Sequence, residues 1–97
     1  MENIVNILEE LYGVIEDRKL NPTPGAYTTY LFEKGQSKIC KKLAEEATET
    51  IISVMNGDKT QITNEVSDLL YHLIVLLVSE GISWTEVADE LRARREQ

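Results

Sequence analysis

The chain has 97 residues and a formal net charge of −7 at pH 7, the size of one domain spanning 1–97. The acidic balance excludes a general binder of nucleic acid or of anionic membrane, which would carry a basic face. It leaves a phosphate ligand open, because a metal ion or a local basic cluster can offset the charge.

The single cysteine, Cys40, excludes an internal disulfide framework and a zinc site built on several thiolates. It lies in an apolar-periodic stretch and is expected as a small core residue. The N-terminal run MENIVNILEELYG has acids where a signal peptide needs basic residues. The longest apolar run, LIVLLV at 73–78, is far below the ~20 residues of a bilayer span. A cytoplasmic location is expected, without membrane or nucleic-acid partners. A chain this short gains much from association.

Ile4, Ile7, Leu8, Leu11 and Ile15 recur at helical spacing, predicting a first helix over roughly 2–17 that Gly13 weakens without ending. LNPTPGA, 20–26, is a loop. YTTYLFEKG, 27–35, reads as a short helical turn stopped by Gly35. The second main helix spans about 37–56, with Ser37 as N-cap and Ile39, Leu43, Ala47, Ile51, Val54 and Met55 as its core stripe. NGD at 56–58 ends it, and Asp58 with Gln61 forms a capping-box pattern that opens a third helix to about 80. Ile62, Val66, Leu69, Leu70, Leu73, Ile74, Leu76, Leu77 and Val78 leave that helix apolar around most of its girth. One short chain can hardly cover it, so a partner chain is expected to. Gly81 stops it; Ser83 with Glu86 caps a last helix over 84–95, where Arg92, Arg94 and Arg95 suit the C-terminal dipole. The expected fold is an all-α bundle of four main helices plus a short helical turn, with the two helices flanking residue 57 as an antiparallel hairpin.

Four carboxylates stand out. Glu46 and Glu49 are three apart on one helix, Glu65 and Asp68 three apart on the next, so each pair shares a face. Glu49 lies eight residues before Gly57 and Glu65 eight after it, so a hairpin brings the pairs to one height. Crowded carboxylates repel and raise one another's pKa values. A hard cation relieves this, and an all-oxygen donor set suits Mg²⁺, with Mn²⁺ as the alternative. Such an ion polarises a phosphoryl oxygen and lowers the pKa of a bound water. Glu45 sits beside this face, off-centre, in a supporting or a plain surface role. His72, four residues after Asp68, is read as a hydrogen-bonded histidine beside Tyr71. The acid–histidine spacing does not match a di-iron bundle, and the helix of Glu46 has no histidine; an EF-hand starting at Asp58 fails at Thr60 and Ile62.

Lys34, Lys38, Lys41 and Lys42 cluster ahead of the acids, against the helix-dipole preference. A local rule broken without local benefit marks a candidate for function. Lys38, Lys41 and Lys42 are the candidates for phosphate contact, with Lys34 beside them.

Glu45-Glu46-Ala47-Thr48-Glu49 followed by Glu65-Val66-Ser67-Asp68 resembles the all-α MazG-like nucleoside-triphosphate pyrophosphohydrolases. The run GAYTTYLFEKGQSKICKKLAEEATE with DLLYHLIVLL resembles more closely the phosphoribosyl-ATP pyrophosphohydrolase family of histidine biosynthesis, over residues ~20–80. The resemblance implies Mg²⁺-dependent hydrolysis of phosphoribosyl-ATP to phosphoribosyl-AMP and pyrophosphate. It implies Glu46, Glu49, Glu65 and Asp68 as catalytic metal ligands, and a homodimer, with higher assembly left open. Tyr27 and Thr28 are expected to line the substrate site. The family commonly has serine where this chain has Ala26. A fused cyclohydrolase domain, which needs several cysteines, is not expected within these 97 residues. Two rival functions are a house-cleaning pyrophosphatase for ordinary or damaged nucleoside triphosphates, and a non-enzymatic acidic helical dimer.

Overall fold

The computed structural model describes residues 2–95. Five helices follow one another: α1 (Ile4–Leu20), α2 (Tyr27–Lys34), α3 (Gln36–Asn56), α4 (Lys59–Glu80) and α5 (Trp84–Arg95). No strand occurs among the described residues, so the all-α expectation holds.

Helix boundaries follow the capping chemistry. Asn3 caps α1 by accepting from the Asn6 amide. Asp58 caps α4, its carboxylate accepting from the amides of Thr60 and Gln61. Ser83 and Glu86 form a reciprocal capping box at α5, at 3.2 and 2.7 Å. Gly57 ends α3 in the left-handed region at φ 76°, where only glycine is free of a Cβ clash.

Three expectations need correction. Ser37 is not an N-cap: α3 starts at Gln36 directly after Gly35, which joins α2 to α3 without a side-chain cap. The stretch 27–34 is a full helix of eight residues rather than a single turn. Cys40 is exposed, because it sits about 100° around the helix from Ile39, whose side chain is buried.

The core stripe of α3 also differs in part. Ile39, Glu46 and Ser53 are buried, with Leu43 and Thr50 half-buried between them. Ile51, Val54 and Met55 are exposed. The seam between α3 and α4 is therefore partly polar. The Thr50 hydroxyl donates to the carbonyl of Glu46 at 2.8 Å and across the seam to that of Glu65 at 3.2 Å. Ser53, fully buried, donates to the Thr50 carbonyl. These short side chains let the two backbones approach, and the branched apolar side chains turn outward.

The core proper lies at the other end of the bundle: Ile15 from α1, Leu31 from α2, Ile39 from α3, and Ile74, Val75 and Val78 from α4. Helix α4 is thus central to α1, α2 and α3. By length and mean hydropathy (1.3 over 18 residues) it is also long and apolar enough to cross a membrane. Here its apolar half packs against the other helices, as the core helix of a small bundle does.

Candidate active site

Helices α3 and α4 form the antiparallel hairpin expected from the NGD turn, with the most extensive helix–helix contact in the chain. It brings three of the four acids together. Carboxylate oxygens of Glu46, Glu49 and Glu65 lie within 4.8 Å of one another. Glu46 is buried, Glu65 half-buried and Glu49 exposed. Asp68 is exposed and stands outside this triad, although its charge reaches both Glu46 and Glu65.

The triad is electrostatically uncomfortable. Burial, then the nearby Glu49 carboxylate, raises the pKa of Glu46 above the ordinary value of 4.5. Burial and Glu49 raise that of Glu65 in the same way. Glu46 Oε2 and Glu65 Oε2 are buried without a hydrogen-bond partner among the described residues. Buried polar atoms are normally partnered, and an orphan asks for an explanation. Three hard oxygen donors, two of them with unfilled lone pairs, fit a divalent cation of the Mg²⁺ type.

Glu45 is not part of the triad and pairs with Lys42 at 3.1 Å. The hydrogen bond holds the Lys42 ammonium above its usual pKa and the Glu45 carboxyl below its own. Lys42 is half-buried, and its charge reaches Tyr27 and Glu46, so it borders the acids. Lys41 is exposed. Lys34 and Lys38 place their ammonium groups 5.8 and 6.0 Å from the centre of the Tyr30 ring.

Tyr27 stacks on Tyr30 at 6.2 Å, and its hydroxyl lies 2.8 Å from His72 Nε2. The neighbouring Thr28 is buried, its hydroxyl bonded to that of Tyr71. Consecutive residues of α2, Tyr27 and Thr28, are thus held by consecutive residues of α4, Tyr71 and His72. Sequence reasoning passed over Tyr30, although its three-residue spacing from Tyr27 puts both rings on one face of α2. It also missed the partners of His72. That pairing spans 45 residues, and no local pattern announces it.

The profile of the family described as phosphoribosyl-ATP pyrophosphohydrolase matches residues 8–95. The chain belongs to that family. A phosphoribosyl-ATP pyrophosphatase of Streptococcus thermophilus is 55% identical over 89 residues, covering 92% of this chain and 86% of the relative. One of Clostridium acetobutylicum is 50% identical over 91 residues, covering 94% and 83%. A histidine biosynthesis bifunctional protein HisIE of Caldanaerobacter subterraneus is 52% identical over 93 residues; the match covers 96% of this chain and 45% of that longer protein. Both acidic segments, 46–49 and 65–68, fall within the matched range.

Proposed function

We propose that this chain is a one-domain, cytoplasmic phosphoribosyl-ATP diphosphatase, releasing phosphoribosyl-AMP and pyrophosphate in histidine biosynthesis. Family membership supports the substrate. The observation that carries the chemistry is the Glu46–Glu49–Glu65 triad with its two orphaned buried oxygens.

Glu46, Glu49 and Glu65 would hold Mg²⁺, with Asp68 at the open edge of the site as the fourth ligand. Bound there, the cation supplies charge neutralisation and Lewis-acid polarisation of a phosphoryl oxygen. The protein's own residues do the rest. Lys42, Lys38 and Lys41, with Lys34, offer positive charge to the phosphates that lie beyond the acids. Tyr27, and Thr28 behind it, border the nucleoside portion. In the net reaction the bridging P–O bond between the α- and β-phosphoryl groups breaks. One water is consumed, pyrophosphate takes the bridging or the incoming oxygen according to which phosphorus is attacked, and phosphoribosyl-AMP takes the other.

The active form is proposed as a homodimer. Ile51, Ile52, Val54 and Met55 of α3 and Val66 of α4 are exposed large apolar residues on the hairpin that carries the acids. A contiguous face of that kind marks an interaction surface.

The decisive test is pyrophosphate release in Mg²⁺, comparing phosphoribosyl-ATP with ATP and dUTP at matched concentration. Strong preference for phosphoribosyl-ATP is the expected result. Equal or better activity on the plain triphosphates would replace the pathway assignment with a house-cleaning one. Silence on all three from folded, metal-loaded protein would refute an enzymatic role.

A further inference from the structure

His72 is the chain's single histidine, it is 6% exposed, and the chemistry above gives it no task. Both ring nitrogens are occupied. Nδ1 lies 2.7 Å from the backbone carbonyl oxygen of Asp68, and Nε2 lies 2.8 Å from the Tyr27 hydroxyl oxygen. A carbonyl oxygen only accepts, so the proton of the neutral ring sits on Nδ1. Nε2 is then an acceptor, and the bond to Tyr27 forms only if the phenol donates.

The consequence falls on Tyr27. With its proton committed to His72, its oxygen is left as an acceptor alone. Lys42 and Glu46 both act electrostatically on Tyr27, and the residue is 45% exposed. An oxygen that can only accept is of no use to a phosphate, which also only accepts. It suits a hydroxyl or amino hydrogen of the ribose–adenine portion. The same linkage ties this contact to the backbone of Asp68, one turn before His72 on α4.

We propose that His72 is a positioning residue: anchored through Nδ1–H on the Asp68 carbonyl, it takes the phenolic hydrogen of Tyr27 and fixes that oxygen as an acceptor for a hydrogen-bond donor on the nucleoside part of the substrate. This rests on the activity proposed above and deepens it.

The first measurement is the ¹⁵N spectrum of protein labelled at histidine, unambiguous because there is one such residue. A protonated Nδ1 with a bare Nε2 is expected; an Nε2–H ring, or a ring protonated at both nitrogens, overturns the proposal. The second is steady-state kinetics on phosphoribosyl-ATP with Mg²⁺. Tyr27→Phe and His72→Phe should each raise KM about tenfold, the size of one neutral hydrogen bond, with kcat within about twofold. The double variant should be no worse than either single one, because both remove one linkage. His72→Gln, whose amide oxygen can accept from Tyr27, should recover most of the loss. Additive losses, or an unchanged KM, overturn the proposal.

Inhibition by three probes separates the donors. AMP and purine riboside monophosphate, which lacks the 6-amino group, are compared on wild type and Tyr27→Phe. Equal weakening of both assigns the donor to a ribose hydroxyl; weakening of AMP alone assigns it to the adenine amino group. Inhibition by inorganic triphosphate should not change, and a parallel weakening there would put Tyr27 on the phosphates and refute the proposal. If His72→Phe does not fold, the tautomer and the Tyr27→Phe kinetics decide. Wild-type protein that releases no pyrophosphate overturns the underlying activity, whereas active wild type with an Nε2–H ring overturns this inference alone.

Discussion

Glu46 keeps a carboxyl where the fold has removed most of its water. Burial and the Glu49 carboxylate raise its folded-state pKa, so the metal-free protein is most comfortable with Glu46 protonated. The linkage has a definite sign. A raised carboxyl pKa contributes stability below the unfolded value, near 4.5, and that contribution is lost as pH rises through the folded value. In chelator, Glu46→Gln should therefore gain stability over wild type as pH rises above the unfolded value near 4.5. Saturating Mg²⁺ should cancel or reverse that gain, since a cation bound only by the folded state stabilises it. Thermal melts of both proteins, with and without metal, check this; a gap independent of pH would refute it. Glu49, exposed and shared by both strained neighbours, carries the corresponding functional prediction. Glu49→Gln should abolish turnover, a loss of at least about 10²-fold, with the helical circular dichroism unchanged. Normal turnover would sink the metal assignment.

Helix ends decide where these carboxylates meet. The α3–α4 hairpin depends on Gly57 at positive φ and on the Asp58 cap. Gly57→Ala should cost about 1–2 kcal/mol from left-handed strain alone, because no atom crowds the site of the new Cβ. Asp58→Ala should cost about 1 kcal/mol by leaving the first amides of α4 unpartnered. Either change should lower Tm by roughly 4–8 °C per kcal/mol. KM should stay near wild type, because the turn lies eight residues from both Glu49 and Glu65. A KM increase with little change in Tm would show that the turn shapes the site directly. At this scale the sequence was most legible. The NGD turn, the Asp58 cap, the Ser83–Glu86 capping box and the helical spacing of the apolar residues are local signals, each satisfied within a few residues of backbone. The failed N-cap at Ser37 is local too: α2 and α3 are joined by Gly35 alone, which leaves no room for a side-chain cap at 37.

Taken whole, the chain is more open than its length requires. Its radius of gyration is 14.7 Å, against about 12.5 Å for a compact chain of this size. Ile51, Ile52, Val54 and Met55 face outward on α3, and they are the surface on which the proposed homodimer is tested. Met55, 83% exposed, is the sharpest probe. Met55→Glu and Ile51→Glu should shift the protein toward monomer in light scattering, with activity falling in parallel if the site is completed across the interface. A wild-type monomer at micromolar concentration would refute the dimer.

The sequence by itself determined the helical class, the hairpin and the height at which Glu46, Glu49 and Glu65 meet. These follow from periodicity, a turn and counting, which are properties of short stretches of chain. It also carried the family resemblance, because the acids, the lysine block and the Tyr27–Thr28 segment are quoted directly in the residue string. Only the tertiary structure decided which face of α3 turns inward. Polar residues at 46, 50 and 53 line the α3–α4 seam, and Ile51, Val54 and Met55 stay exposed. It alone set Asp68 outside the triad, exposed Cys40, and joined Tyr27 to His72. Such pairings depend on the rotation of helices distant in sequence, and no local spacing encodes that rotation.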